Sequence, residues 1–223
     1  MPIQPELLKY SQEYRVLATL RYLFPQEFDN LVTRDAPDLQ DKEKGIGIEV
    51  TMAANSKDTQ AARLFSELSL AQPIKAPSLL IKEIESLGYT VQDYHGVRRL
   101  VKSGSISSND ETVFKESIKK KSQKMQKYRS AFPRVGLAIL LTEIPARETE
   151  NNLIQWIEQV DGEIKPTFDF FFVISERFCL YYEPETNISK KRSITREEND
   201  QIRSIARKTA EGELTMNSSE WAF

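Results

Sequence analysis

Two carboxylates stand out by their positions: Asp38, directly after Pro37 in "APDLQ", and Glu49 in the apolar run "GIGIEVT". Side chains alternate faces along a strand, so Ile46, Ile48 and Val50 point one way and Gly47, Glu49 and Thr51 the other. The first set is a core face. The second carries an acid next to a residue without a side chain, which is expected to leave room beside the carboxylate. If the runs holding Asp38 and Glu49 pair as neighbouring strands, the two acids repel unless a cation lies between them. Hard oxygen ligands of this kind favour magnesium or manganese. An edge strand with an ordinary solvent face is the alternative reading.

A second signal lies in the segment from about Glu111 to Phe132. At about 100° per residue, Phe114, Ile118, Met125, Tyr128 and Phe132 form one apolar stripe, and the position that completes it is Lys121. A lysine there is costly to desolvate unless an anion or carboxylate awaits it, although its stem could also snorkel to water. Lys124 lies at the margin of the stripe, and Tyr128 reads as a core residue. In the first helix, Glu6, Tyr10, Glu13, Leu17, Leu20 and Phe24 share a stripe. The helix dipole accounts for Glu6 in the first turn but not for Glu13.

These residues need elements to hold them. A helix is expected from about Pro5 to Phe24, stopped by Pro25, then a strand-like "FDNLVTR" and the two acid-bearing runs. Ser56 could cap a helix through about Ala71, and "APSLLIKEIESLG" reads as another, ended by Gly88. The stretch "YTVQDYHGVRRLVKSG" is either a small hairpin or an irregular excursion, and its His95 could be a base but, as a lone loop histidine beside Gly96, reads as structural or exposed. "VGLAILLTEI" between Pro133 and Pro145 has the continuous apolar character of a strand buried on both faces. "NLIQWIEQV" reads as a helix, "FDFFFVIS" and "RFCLYYEP" as two strands joined by a tight turn, and the polar C-terminal segment as a helix and tail over about 195–223. The expected fold class is α/β: one domain over residues 1–223, with a central mixed sheet flanked by helices and a helical insertion at about 56–109.

Composition sets outer limits. The 31 basic and 33 acidic residues nearly balance, so overall charge gives no case for nucleic acid. Locally, Lys115, Lys119, Lys120, Lys121, Lys124, Lys127 and Arg129 face only one acid, Glu116. Such a block could meet phosphates or simply form a solvated helix face, and the same holds for Arg98, Arg99 and Lys102. Cys179 is the single cysteine, so no internal disulfide can form. The opening "MPIQPELLKYSQEY" lacks the basic-then-apolar order of a signal peptide, and no apolar run has the length of a membrane span. A cytoplasmic protein with no membrane partner is expected.

A glutamate on the first helix, then Pro37-Asp38, then Glu49 in "IEVT" resembles the PD-(D/E)XK nuclease superfamily, the restriction-endonuclease-like fold. The resemblance spans about Pro5 to Thr142, apart from the insertion between Asn55 and Asn109. It implies a phosphodiester-cleaving enzyme acting on DNA, with Mg²⁺ or Mn²⁺ held by Asp38, Glu49 and the main-chain carbonyl of Val50. Glu13 would assist the metal site, and a lysine would orient the attacking water. The family's usual lysine two residues after the second acid is missing, and Thr51 stands there. In some branches the lysine comes from the later helix, which points to Lys121, with Lys124 as the alternate. Arg98, Arg99, Lys102, Lys120, Lys124 and Lys127 would hold the nucleic-acid backbone. A homodimer would suit a double-strand cutter, with no interface legible. Two other readings stay open: a nuclease-like binding or assembly module that does not cut, and an interaction domain whose charged helix meets an acidic partner.

Overall fold

The apolar run after Pro133 forms the middle strand of a seven-stranded sheet in the computed structural model. The structure describes residues 5–54, 56–68, 76–94, 97–102, 109–141, 147–165, 167–216 and 221. In chain order the elements begin with helix α1 (Pro5–Leu23), a short α2 (Pro25–Phe28), and strands β1 (Val32–Thr33), β2 (Leu39–Asp41) and β3 (Ile46–Ala53). There follow α3 (Ser56–Leu68), α4 (Pro77–Ser86), β4 (Tyr89–Tyr94), β5 (Val97–Lys102), α5 (Asn109–Ser122), α6 (Met125–Arg129) and β6 (Arg134–Leu141). The chain closes with α7 (Arg147–Glu163), β7 (Phe170–Ile174), β8 (Phe178–Glu183), β9 (Ile188–Ser193) and α8 (Arg196–Ala210).

The chain groups into two compact units. Residues 54–110 belong to one; Pro5–Ala53 and Glu111–Phe223 form the other. In the smaller unit, α3 and α4 bury Ala61, Leu64, Leu68, Leu80 and Ile84 with Tyr89. Its β4 and β5 pair antiparallel, so the ambiguous stretch is a hairpin and the insertion is helical only in part. His95 lies outside the described residues.

The larger unit carries the seven strands in the order β1-β2-β3-β6-β7-β8-β9. β3, β6 and β7 run parallel, and the outer pairings are antiparallel, which makes the sheet mixed. Strand alternation divides the core into two layers. Ile46, Ile48, Val50, Ala138, Leu140, Phe170 and Phe172 face α1 and α8, whose Val16, Leu17, Leu20, Ile202 and Ile205 complete one layer. Val135, Leu137, Ile139, Phe171 and Val173 face the other way, against Phe114, Ile118, Met125 and Tyr128 and against Leu153, Trp156 and Ile157 of α7. Each fully buried side chain of this size contributes about 1.5–3 kcal/mol relative to exposure, so both layers hold the sheet firmly. This is an α/β fold with helices on both faces of the sheet.

Three expectations need correcting. Pro25 does not merely stop α1; it opens α2, where its missing N–H costs nothing. The helix expected from about 111 to 132 breaks after Ser122 and restarts at Met125. A strand, β9, precedes the C-terminal helix where no element was expected. All six of its residues are exposed, including Lys190, Lys191 and Arg192, so it lacks the apolar alternation that marks a half-buried strand. Lysines on an outer strand discourage further strands from adding to the sheet.

Candidate active site

The β2–β3 hairpin places the two acids. Asp41 Oδ1 accepts from the Glu43 and Lys44 main-chain N–H groups, both at 3.0 Å, which closes the turn. The register sets Leu39 opposite Ile48, so Asp38 stands one step further along, level with Glu49. β2 ends there, and among the described residues no strand pairs with β3 beyond Ile48 on that side. The Asp38 side chain substitutes for the missing neighbour: its Oδ2 accepts the Val50 N–H at 2.7 Å. In an extended strand a residue's C=O points to the same side as its N–H, so the Val50 carbonyl also faces the open edge.

Gly47 does not leave the expected vacancy beside Glu49. A Cβ at this position would lie 2.6 Å from Pro37 Cγ and 3.1 Å from Phe132 Cγ. The glycine lets Pro37 pack flat on β3, and the proline ring delivers Asp38 to its place. The open space lies instead at the end of β2, as a cavity of about 260 Å³. Its lining brings together Glu13, Asp38, Glu49, Val50, Lys121 and Lys124. Glu13 descends from α1 and is 3 % exposed; Asp38 and Glu49 are 7 % and 1 % exposed. Thr51 also lines this cavity.

The break between α5 and α6 explains why two lysines reach one carboxylate. The Lys124 N–H donates to the Lys121 carbonyl at 3.0 Å, an i→i−3 bond of the 3₁₀ type, in which side chains three apart eclipse. Lys121 Nζ and Lys124 Nζ both donate to Glu49 Oε1, at 2.7 and 3.0 Å. The Tyr128 hydroxyl, one turn on, donates to Glu49 Oε2 at 2.7 Å. α6 is held in turn by Arg129, which donates to Asp169 Oδ1 at 2.7 Å, while Asp169 Oδ2 accepts the Val135 N–H.

Burial alone would raise the pKa of Glu49, but the hydrogen bond and charge of Lys121, with the bonds from Tyr128 and Lys124, outweigh it and hold the carboxyl below its ordinary value. The Tyr128 phenol moves the other way, raised by burial and by the carboxylate it serves. Glu49 is therefore an anion in a largely enclosed setting, and Tyr128 remains a donor.

Tyr128 is the Glu49 partner that the residue pattern did not reveal. The apolar stripe placed its ring correctly in the core, and the choice of tyrosine over phenylalanine at the stripe was the available signal. The outer basic residues are dispersed. Lys120 and Lys127 are exposed and, among the described residues, form no ion pair. Lys115 and Lys119 turn instead to Glu111 and Glu163. Arg98, Arg99 and Lys102 sit on β5 of the smaller unit, with side chains outside the described residues. No helix among the described residues is long and apolar enough to cross a membrane. No protein-family model, curated protein or solved structure matches the chain.

The donor chemistry suits a hard divalent cation. Asp38 and Glu49 offer carboxylate oxygens, and the Val50 carbonyl opens on the same edge. Among the described residues no three acids, histidines or cysteines form a closed metal cage. Magnesium seldom uses such a cage: it is held by one or two carboxylates and keeps waters or substrate phosphates for the rest of its shell.

Proposed function

We propose that this chain is a divalent-metal-dependent nuclease of the PD-(D/E)XK kind, hydrolysing phosphodiester bonds of DNA. One observation carries the reading: three buried carboxylates, an open main-chain carbonyl and two lysines, drawn from α1, the β2–β3 hairpin and the α5–α6 break, line a single cavity. The order of these groups along the chain supports it too, since a first-helix acid, a Pro-Asp and a strand glutamate are the features that resemble that superfamily.

In this reading Asp38, Glu49 and the Val50 carbonyl hold Mg²⁺ or Mn²⁺. A bound cation supplies an activated water and neutralises charge on the scissile phosphate. Lys121 provides the ammonium that Thr51 cannot, orienting the water or balancing the phosphoryl oxygens. Glu13 accepts from water at the α1 side of the cavity. Exposed Lys120 and Lys127 meet the flanking backbone, which makes binding salt-dependent. The test is incubation of the purified protein and its Glu49→Gln variant with plasmid and single-stranded DNA, with and without magnesium. Cleavage by wild type alone, and only with the metal, is the expected result; equal cutting by both proteins would refute it.

A specific observation favours a second reading. The three donors on Glu49 satisfy the carboxylate without a metal. A nuclease-like module that binds nucleic acid without cutting would keep this arrangement permanently. A manganese-dependent thermal shift that Asp38→Asn abolishes separates the enzyme from the module.

A further inference from the structure

The partners of Glu49 divide its carboxylate into two unlike halves. Oε2 receives one donor, the phenol of Tyr128, whose side chain is buried in the layer formed with Phe114, Ile118 and Met125. That donor cannot leave without moving α6, which Arg129 and Asp169 tie down. Oε1 receives two ammonium groups of unequal freedom. The Lys121 side chain is 19 % exposed and that of Lys124 is 54 % exposed. Lys124 therefore loses little by swinging into water, whereas Lys121 is mostly covered.

We propose that Tyr128 is a positioning residue that pins Oε2, and that Oε1 is the ligand-facing oxygen, with Lys124 as its displaceable partner beside Lys121 until a divalent cation is bound. This rests on the metal-dependent reading above and adds to it two residue roles of opposite sign. A fixed hydroxyl sets the rotamer of the carboxylate, so that Glu49 offers one oxygen to the cavity in a constant direction. Lys124 balances the buried charge while no metal is present and competes with the cation for the same oxygen. Released from Oε1, its ammonium becomes available to an incoming phosphate at the rim of the cavity.

Two mutations are expected to have contrary effects on one measurement, Mn²⁺ affinity by calorimetry on the full chain with no nucleic acid present. Tyr128→Phe keeps the ring in the core and removes only the hydroxyl. Loss of a partner that orients a metal ligand costs about tenfold or more in affinity. Lys124→Met removes a partly exposed competitor and is expected to tighten Mn²⁺ binding about two- to fivefold. Lys124 lies on the surface between two helices and makes no side-chain capping bond, so this variant folds even if Tyr128→Phe proves fragile. Thermal melting of each variant without metal runs alongside. Unchanged Mn²⁺ affinity in Tyr128→Phe, with or without a lower melting temperature, makes Tyr128 a packing residue only and overturns the pinning role. Weaker binding in Lys124→Met overturns the competition. If wild type binds no Mn²⁺, the metal-dependent function falls together with this inference. If wild type binds and the variants do not diverge, the inference alone falls.

Discussion

Asp38 Oδ2 accepts the Val50 N–H at 2.7 Å, so the first acid is fastened to the strand that carries the second. This bond makes the spacing of the two carboxylates a property of the hairpin and independent of any ligand. It also gives Asp38 a structural duty separate from chemistry.

The two duties can be pulled apart. Asp38→Ala leaves the Val50 N–H without its acceptor in a buried place, at a cost of about 1–3 kcal/mol in urea unfolding. Asp38→Asn keeps a carbonyl oxygen for that bond and is expected to lose less stability while still losing the metal-dependent thermal shift. Equal stability losses in the two variants would contradict the assignment.

Glu49 makes stability depend on pH in a defined direction. Its folded-state pKa lies below the ordinary 4.5, so it contributes stability fully above that value, and the contribution fades as pH falls through the lower folded pKa. The stability gap between wild type and Glu49→Gln, from urea curves, is therefore expected to be widest near neutrality and to narrow below about pH 4.5. A gap that widens on acidification would contradict the ionised, lysine-paired carboxylate.

Close approach at Gly47 links backbone to chemistry. Gly47→Ala drives a methyl group into Pro37 and Phe132, a buried overlap expected to cost about 1–3 kcal/mol by thermal or urea unfolding. Because Pro37 precedes Asp38, Mn²⁺ affinity should fall as well. Gly136→Ala offers the control: its Cβ would meet Phe170 on the face of the sheet opposite Glu49, so it should lower stability without a specific loss of affinity in the folded fraction.

The lysine question has its own test. Lys121→Met is expected to reduce DNA cleavage about a hundredfold or more, the usual scale for losing a group that stabilises transition-state charge. Thr51→Lys added to that variant places an ammonium on the cavity wall again and should recover about tenfold of the loss. If the double variant cleaves no better than Lys121→Met while both fold, Lys121 does more than supply a missing charge.

Much of the site could be read from residue pattern because its makers obey local rules. Alternation along "GIGIEVT" put Glu49 opposite the Ile46–Ile48–Val50 face, and helical periodicity put Lys121 and Glu13 on inward stripes. What escaped depended on particular long-range contacts or on breaks in periodicity. The turn at Gln123 and Lys124 interrupts a helix whose apolar spacing continues through it, so Lys124 appeared marginal until the 3₁₀ step brought it round. The Tyr128 hydroxyl was hidden by its own ring, which fits the core pattern perfectly well. Gly47 looked like a vacancy because its occupants, Pro37 and Phe132, come from other parts of the chain. β9 escaped because it is an exposed strand held by main-chain bonds to β8, and such bonds leave no trace in side-chain hydropathy.

The early end of β2 has a wider meaning for how such a site can arise or vanish. A neighbouring strand continuing past Leu39 in regular register would satisfy the Val50 main chain through its own peptide groups, and Asp38 would become an ordinary rung of the ladder. The recess would be roofed over, and its acids would face each other with no access for a substrate. The cavity thus owes its existence to an unfinished edge. Shortening or lengthening one hairpin arm, with every charged residue retained, should be enough to open or close it.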